Sequence, residues 1–461
     1  MAENNLRGIA VVDVGYTNSK VILYDRHLHI VGERKYPSPH REGLHYREID
    51  VVTILDFVRV ALVELDQLLP IDRIVPCAHG ACIISLKADG QLSVPAMDYM
   101  STPPPAIVAA YSAVSPGFAE TYSPQLPVAL LHAMQLFWQS RVLAAAFAET
   151  TTILPLMQYI AFALGACAVT EVSSMSCQSH LVDMRDGGPS SLARSEGWDK
   201  LFAPEAKAWQ IVGNARESLR GEGKILAGVH DSNANFLRYI VGGADVFSLL
   251  STGTWIIGFD TAADIASLDH SRDIVGNKNV YGKTIACGRF FGGKEFEALA
   301  GDAAHLAPQL ESVKRLVASN VMALPSFSDS GGPLPGTANR GKILGHLATA
   351  EERVSLATLY CALMVSESLD ALHSQHTIIV DGPFSQNQVF LQILALLRPG
   401  QTIKASQARD GTATGAACLA LMPQGIAPVF PVEMNEVGLV NIPGLKAYQQ
   451  GWRNFATANS V

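Results

Sequence analysis

Clustered positive charge is what this 461-residue sequence most clearly lacks: 34 Lys and Arg stand against 42 Asp and Glu, a formal net charge of -8 with His neutral. A duplex-binding protein gathers Lys and Arg against phosphates, so this acidic balance argues against nucleic-acid binding, although a local site could still hold an acidic substrate. Charge of either sign is sparse, at 16% of residues against 48% hydrophobic. Chains of this composition can offset their ordering entropy, which implies a folded globular protein. Its seven cysteines, Cys77, Cys82, Cys167, Cys177, Cys287, Cys361 and Cys418, contain no C-x-x-C pair and no His/Cys cluster at zinc spacing. They read as reduced, mostly buried thiols of a cytosolic protein. The N-terminus lacks a basic segment followed by a long apolar run, since polar Met1 to Gly8 leads directly into a strand-like stretch; secretion is not expected. The nearest approach to a membrane span, Ile153 to Val169, falls short of about 18 residues and contains Pro155, Gln158 and Gly165. It suits a buried helix better.

The length corresponds to two to four domains at about 100 to 200 residues each. Ile9 to Val14, Lys20 to Tyr24 and His29 to Lys35 read as three consecutive antiparallel strands, with a turn at Asp25-Arg26-His27. A helical pattern follows from Val51 to Leu69, with Val52, Leu55, Val58, Leu62 and Leu65 on one face and Pro70 closing it. Arg73 to Cys77 reads as a strand. Ala81 to Leu86 and Gln91 to Val94 form a hairpin-like pair around Ala88-Asp89-Gly90, and Met100 to Pro127, rich in Pro, Ser and Ala, reads as an ordered excursion. After Gly242-Gly243 the opening rhythm returns: strand Val246 to Ser251, turn Thr252-Gly253, strand Trp255 to Phe259. Two halves that each begin strand, small-residue turn, strand suggest duplicated architecture, although no repeat aligns at a fixed period. The later chain alternates helices (Ala350 to Ser374, Gln386 to Leu397, Ala413 to Met422) with strands (Thr377 to Val380, Thr402 to Lys404), as an α/β layered domain should. Ser326 to Gly336, rich in Ser, Gly and Pro, reads as a surface loop.

Four segments have the residues that phosphoryl chemistry needs. Asp13-Val14-Gly15-Tyr16-Thr17-Asn18-Ser19-Lys20 ends a strand in a carboxylate and turns through glycine and small polar residues. Backbone N–H groups and hydroxyls there can hold phosphate oxygens, the carboxylate a hydrated Mg²⁺, and Lys20 adds a cation; an ordinary polar hairpin turn is the plain alternative. Ser251-Thr252-Gly253-Thr254-Trp255 occupies the equivalent place in the second half. Gly228-Val229-His230-Asp231-Ser232-Asn233 opens a helix, and Asp231 is either its N-cap or a general base for an attacking alcohol. Val380-Asp381-Gly382-Pro383-Phe384-Ser385-Gln386-Asn387 runs from strand end to helix start, which suits either a nucleoside against backbone or a plain cap by Ser385.

In this order the motifs resemble those of the FGGY carbohydrate kinases, which share the actin/hexokinase-like superfamily. Asp13 to Lys20 resembles the family's first phosphate motif, Ser251 to Trp255 its second, and Val380 to Asn387 its adenosine motif. Gly228 to Asn233 is similar to the catalytic-base loop, Cys77-Ala78-His79-Gly80-Ala81 to a substrate loop, and Gln158 to Gly165 to a family helix that has Asp where Gln158 stands. The resemblance implies an α/β protein of two actin/hexokinase-like (ribonuclease H-like) domains flanking a cleft: residues 1–244 for sugar and base, residues 245–461 for ATP. It implies ATP and Mg²⁺ as cofactors, with Asp231 as base and Asp13 holding the metal through water. His79, Asp98 and Asn233 would bind the sugar; Thr17, Asn18, Lys20, Thr252, Gly253, Thr254, Gly382, Ser385 and Asn387 would bind ATP. Expected partners are a small sugar, with no nucleic acid and no membrane, a homodimer as a possible assembly, and a cytoplasmic location.

Two departures qualify the match. Asp381-Gly382-Pro383-Phe384 stands where the adenosine motif has a run of three glycines, so Pro383 removes an amide N–H and Phe384 adds bulk where adenine should lie. Met97-Asp98-Tyr99-Met100 lacks the Trp and Arg that the family often has there, so no substrate carries over from xylulose or glycerol kinases; the looser resemblance is to rhamnulose and fuculose kinases. The reading is an ATP-dependent kinase for a ketose such as L-rhamnulose, L-fuculose or a pentulose, or for a polyol. A non-catalytic sugar or nucleotide sensor on the same fold is the alternative, favoured by the altered adenosine turn.

Overall fold

The computed structural model describes residues 6–407, 410–422, 430 and 432–458. The chain divides into two compact units, one of residues 1–243, 276–284 and 410–430, the other of residues 244–275, 285–409 and 431–461.

The first unit is built on a seven-stranded mixed sheet. β1 (Gly8–Val14) lies at its centre, antiparallel to β2 (Asn18–Asp25), which pairs with β3 (Ile30–Pro37). On its other side β1 runs parallel to β4 (Ile71–Ala78), beside which come β6 (Lys224–Leu226) and β5 (Ile211–Asn214), while β7 (Val229–His230) extends the parallel pairing along the C-terminal end of β4. The period of two in β1 explains its burial on both faces. Ala10, Val12 and Val14 join a core with Ile54, Val58 and Leu62 of α1 (Val51–Asp66) and with Ile160 and Leu164 of α2 (Leu156–Leu164). Ile9 and Val11 face the opposite core, with Leu237 and Val241 of α3 (Asp231–Val241) and Ala416 and Ala417 of α7 (Gly411–Leu419).

α1 begins where Asp50 accepts the Thr53 N–H at 3.1 Å, a side-chain cap. Val52 is 57% exposed, and Val51 and Ile54 take its expected place in the core. Ile83–Leu86 pairs with Thr152–Pro155 rather than with Gln91 to Val94, which keeps only a bridge at Leu86 and Leu92. The expected hairpin turn exists, with Lys87 N–H donating to Gln91 O at 2.8 Å, but the stronger partner comes from distant sequence. Residues 100–127 are ordered, with helices at Pro105–Ser112 and Phe118–Thr121.

The second unit repeats the arrangement. β8 (Phe247–Thr252) pairs antiparallel with β9 (Ile256–Asp260), and β9 with β10 (Thr284–Phe290). On its other side β8 runs parallel to β11 (Thr377–Asp381), followed by β12 (Ile403–Ser406) and β13 (Met434–Glu436). One core collects α4 (Gly292–Ala300), α5 (Ala350–Ala371) and α6 (Gln388–Leu397) against this sheet. Among the described residues α5 is the helix long and apolar enough to cross a membrane, and 94% of its most apolar window is buried within the protein. Ser326 to Gly336 is less a surface loop than expected. Ser326 and Ser328 are buried, and their hydroxyls, with Phe327 N–H and Tyr360 O–H, donate to the buried Glu295 carboxylate of α4.

Candidate active site

Parallel α/β sheets hold ligands at the C-terminal ends of their strands. In the first unit the register brings three such ends together: Asp13 and Val229 both lie opposite Cys77, and Val14 and His230 both lie opposite Ala78. Asp13, the His79-Gly80 loop and His230-Asp231 therefore emerge side by side.

Asp231 is the first residue of α3, and His230 occupies the N-cap position. Oδ1 of Asp231 accepts from the Ser232 backbone N–H at 2.5 Å and the Ser232 hydroxyl at 3.2 Å, and lies 3.1 Å from His230 Nε2. All these contacts fall on one oxygen. Burial works to keep this carboxyl protonated, but the His230 hydrogen bond and charge outweigh it, so Asp231 sits below the ordinary carboxylate value and is ionised at neutral pH. Asp13 behaves oppositely. Desolvation and then the Asp231 charge push it up to about 7, against the pull of Lys20. Lys20 Nζ itself lies 3.1 Å from Asp410, a neighbour that no sequence spacing could reveal.

His79 is 8% exposed, its Nδ1 is buried with no hydrogen-bond partner, and burial pulls its pKa down to about 4. It is a neutral imidazole with an unspent nitrogen, beside Tyr99 at 5.4 Å and Tyr16 at 6.4 Å between ring centroids. Asp98 is fully buried. Its Oδ2 meets His40 Nδ1 at 2.9 Å, the Tyr16 hydroxyl at 3.2 Å and Arg47 Nε at 3.3 Å, while Oδ1 accepts from Met100 N–H at 2.8 Å. The carboxylate thus organises Tyr16, His40 and Arg47. Asn233 is buried and places its amide nitrogen 3.1 Å from His230 Nδ1. In the turn after β1 Gly15 N–H donates to Asn18 O at 3.0 Å, and Thr17 stands exposed. Gln158 is fully buried and donates to Ala227 O at 3.0 Å, bracing the segment that leads to β7. Sequence reading passed over Tyr16, His40, Tyr99 and His230; three of them stood inside segments already singled out, Tyr16, Tyr99 and His230.

In the second unit the turn Ser251 to Trp255 has no charged residue of its own. Ser251 lies opposite Asp381, so the Thr252-Gly253 turn and the Asp381-Gly382 turn are neighbours. Thr252 Oγ1 donates to Asp381 O and accepts from Phe384 N–H at 3.1 Å; Gly253 N–H donates to Trp255 O at 2.9 Å, and Gly293 N–H to Thr254 O at 3.1 Å. Gly382 has φ of +83°, and a Cβ there would fall 2.0 Å from Thr252 O, so only glycine fits. Ser385 donates to Ser406 O at 3.0 Å, and Asn387 caps α6 by accepting Phe390 N–H at 3.0 Å. Cap and hydroxyl thus differ from the expected Ser385 cap. Phe384 corrects the expectation of bulk at the adenosine turn: it is 8% exposed and packs inward on Phe390 at 4.9 Å and Phe296 at 5.7 Å. Pro383 opens a 3-10 helix, where a missing N–H costs little.

The family described as carbohydrate kinase FGGY, C-terminal domain, matches residues 244–428. A carbohydrate kinase from Novosphingobium aromaticivorans is similar over 99% of this chain and 100% of its own, with 31% identity and a TM-score of 0.86. The chain belongs to the FGGY carbohydrate kinase family. Two solved structures share its fold at lower identity. Ligand-bound xylulose kinase from Lactobacillus acidophilus has 17% identity, coverage of 98% of each chain and a TM-score of 0.82. Plasmodium falciparum glycerol kinase with ADP has 16% identity, coverage of 90% of this chain and 89% of its own, and a TM-score of 0.76. No curated protein matches. As a carbohydrate kinase the protein uses ATP to phosphorylate a sugar.

No group of three or more His, Cys, Asp or Glu among the described residues could enclose a metal. Asp13, a lone desolvated carboxylate at the turn after β1, fits Mg²⁺ instead, an ion that keeps several waters and is bound through one or two carboxylates together with substrate phosphates.

Proposed function

We propose that Asp231 is the general base of this kinase and that the acceptor is a hydroxyl of a small ketose, such as L-rhamnulose, L-fuculose or a pentulose, or of a polyol. The observation that carries the base assignment is that the described contacts of the Asp231 carboxylate all lie on Oδ1. Oδ2 is left to take the proton of the attacking alcohol as the O–P bond forms and ADP leaves. Asp13 would hold Mg²⁺ through water, and the bound ion would neutralise charge on the phosphates. His79, neutral and with Nδ1 unspent, is the best-supported sugar contact; the rings of Tyr16 and Tyr99 beside it offer faces to carbon-bound hydrogens. Asp98 and Asn233 act in this reading by holding Tyr16, His40, Arg47 and His230 in place as much as by touching sugar. Backbone and hydroxyls of Thr17, Asn18, Thr252, Gly253 and Thr254, with Lys20, bind the phosphates, and Gly382, Ser385 and Asn387 shape the nucleoside side. Residues 1–244 would serve the sugar and base, residues 245–461 the nucleotide.

The test is ADP release with Mg-ATP and L-rhamnulose, L-fuculose, D-xylulose, D-ribulose, L-ribulose, erythritol or glycerol. Asp231→Asn should fold, bind ATP and lose sugar-dependent turnover by on the order of a thousand-fold. Substantial turnover in that variant would refute the base assignment.

A further inference from the structure

We propose that His230 is the positioning residue of this base: it grips Asp231 by Oδ1, so that Oδ2 is presented to the hydroxyl to be phosphorylated. The inference rests on the reading of Asp231 as base and adds a residue that works through it.

The argument starts from the tautomer. Asn233 Nδ2 lies 3.1 Å from His230 Nδ1, and an amide nitrogen can only donate. Nδ1 therefore accepts, and the ring proton sits on Nε2. Nε2 lies 3.1 Å from Asp231 Oδ1 and hydrogen-bonds Cys177 Sγ at 3.6 Å, so its proton stands between the carboxylate and the sulfur. The ring is held from several sides. A Cβ on Gly80 would fall 2.7 Å from His230 Nε2 and 2.9 Å from Cys177 Sγ, so the glycine lets the loop close onto the imidazole. His132 in turn fixes that loop by hydrogen-bonding Gly80 O. The titratable groups around His230 are Asp231 on its own segment, Cys177 at the end of the short helix Val172–Ser176, His79 in the substrate loop and His132. A buried histidine whose two nitrogens are committed to the base and to Asn233 fixes direction as well as charge, as the orienting carboxylate does for a catalytic histidine in hydrolases.

The experiment compares His230→Gln and His230→Leu with wild type and Asp231→Asn, using Mg-ATP and the sugar that gives the largest Asp231-dependent signal. His230→Leu should lower kcat on the order of ten-fold or more, with KM for sugar and ATP changed by less than about two-fold. Its acid limb should move up by about one pH unit, because Asp231 loses the donor that favours its ionised form. His230→Gln, which keeps a neutral donor, should recover part of kcat. Folded variants with kcat and acid limb in place would overturn the proposal, and if Asp231→Asn is inactive in the same series, that failure leaves the base assignment standing. If Asp231→Asn turns over normally, the base reading itself falls. The substrate-free wild type gives a reading that needs no variant to be active: nitrogen-15 NMR of histidine-labelled protein should show a ring protonated on Nε2 between about pH 6 and 9 whose signal vanishes in His230→Gln. A ring at that position protonated on Nδ1 alone would overturn it.

Discussion

The two glycine turns, at Gly15 and Gly253, are built to one plan and filled with different chemistry. In both, a central strand feeds a tight turn into its antiparallel partner, with a parallel strand on the other side: β1 and β2 beside β4, β8 and β9 beside β11. The first turn carries Asp13 at its strand end and Lys20 opposite it in the ladder. The second, Ser251 to Trp255, has neither, and is shaped by hydroxyls, amides and the close approach of Gly382 and Gly293. Charge costs desolvation, as the rise of Asp13 to about 7 shows. In the proposed mechanism it is spent beside Asp231, where charge must move. Neutral dipoles suffice where the task is to cradle an anion.

The sharpest way to break this contrast is Asp13→Asn, which removes the carboxylate of the first turn and leaves Lys20 as its one charge. Turnover should fall by roughly a hundred-fold or more. Stability should move the other way in metal-free protein. Asp13 ionises near 3.8 when unfolded and near 7 when folded, so its contribution favours the fold at low pH and is lost as pH rises through about 7. The variant's gain in Tm over wild type should be absent below about pH 4, grow between the two values and level off above about pH 7. A Tm difference independent of pH would mean that Asp13 is not desolvated as described. Next in size is Gly382→Ala, aimed at the neutral turn. With φ of +83° and Thr252 O in the way, the added methyl should cost more than about 1 kcal/mol of stability. It should raise KM for ATP while leaving the acid limb of kcat untouched; a shifted acid limb would show that the second turn also governs the base.

The same contrast explains what the sequence made legible. Strand, turn and strand at Ile9 to Tyr24 and at Val246 to Phe259 could be read because their signals are local: β-branched runs, a glycine and small polar residues. The order of the motifs then pointed to the family. Asp410 beside Lys20 and Thr152–Pro155 beside Ile83–Leu86 could not be read, because partners hundreds or dozens of residues away leave no spacing signature. Val52 was misplaced by one helical position, since Val51 and Ile54 fit the same periodicity. Phe384 looked like an obstacle because sequence gives no side-chain direction; its ring goes to the core. His230 was in plain view next to Asp231, but a histidine's partners are a matter of three dimensions.

The finest test of the contrast is Lys20→Met, which removes the cation of the first turn and leaves its carboxylate. Lys20 and Asp410 are 27% and 23% exposed at the side chain, so water can take over much of what each loses. The stability cost should stay within about 1 kcal/mol. The functional effect should be larger than that figure suggests, because Lys20 also pulls Asp13 toward its ionised form. Without it the proton on Asp13 is held to higher pH, and KM for Mg-ATP should rise several-fold near pH 7 and recover partly as pH increases. Asp410→Asn separates the two roles. It breaks the same ion pair but leaves Lys20 free to face Asp13 and removes a negative neighbour from it, so it should match Lys20→Met in stability and move KM in the opposite direction. If both variants raise KM alike, the ion pair itself orders the turn, and the first turn, like the second, works through its backbone.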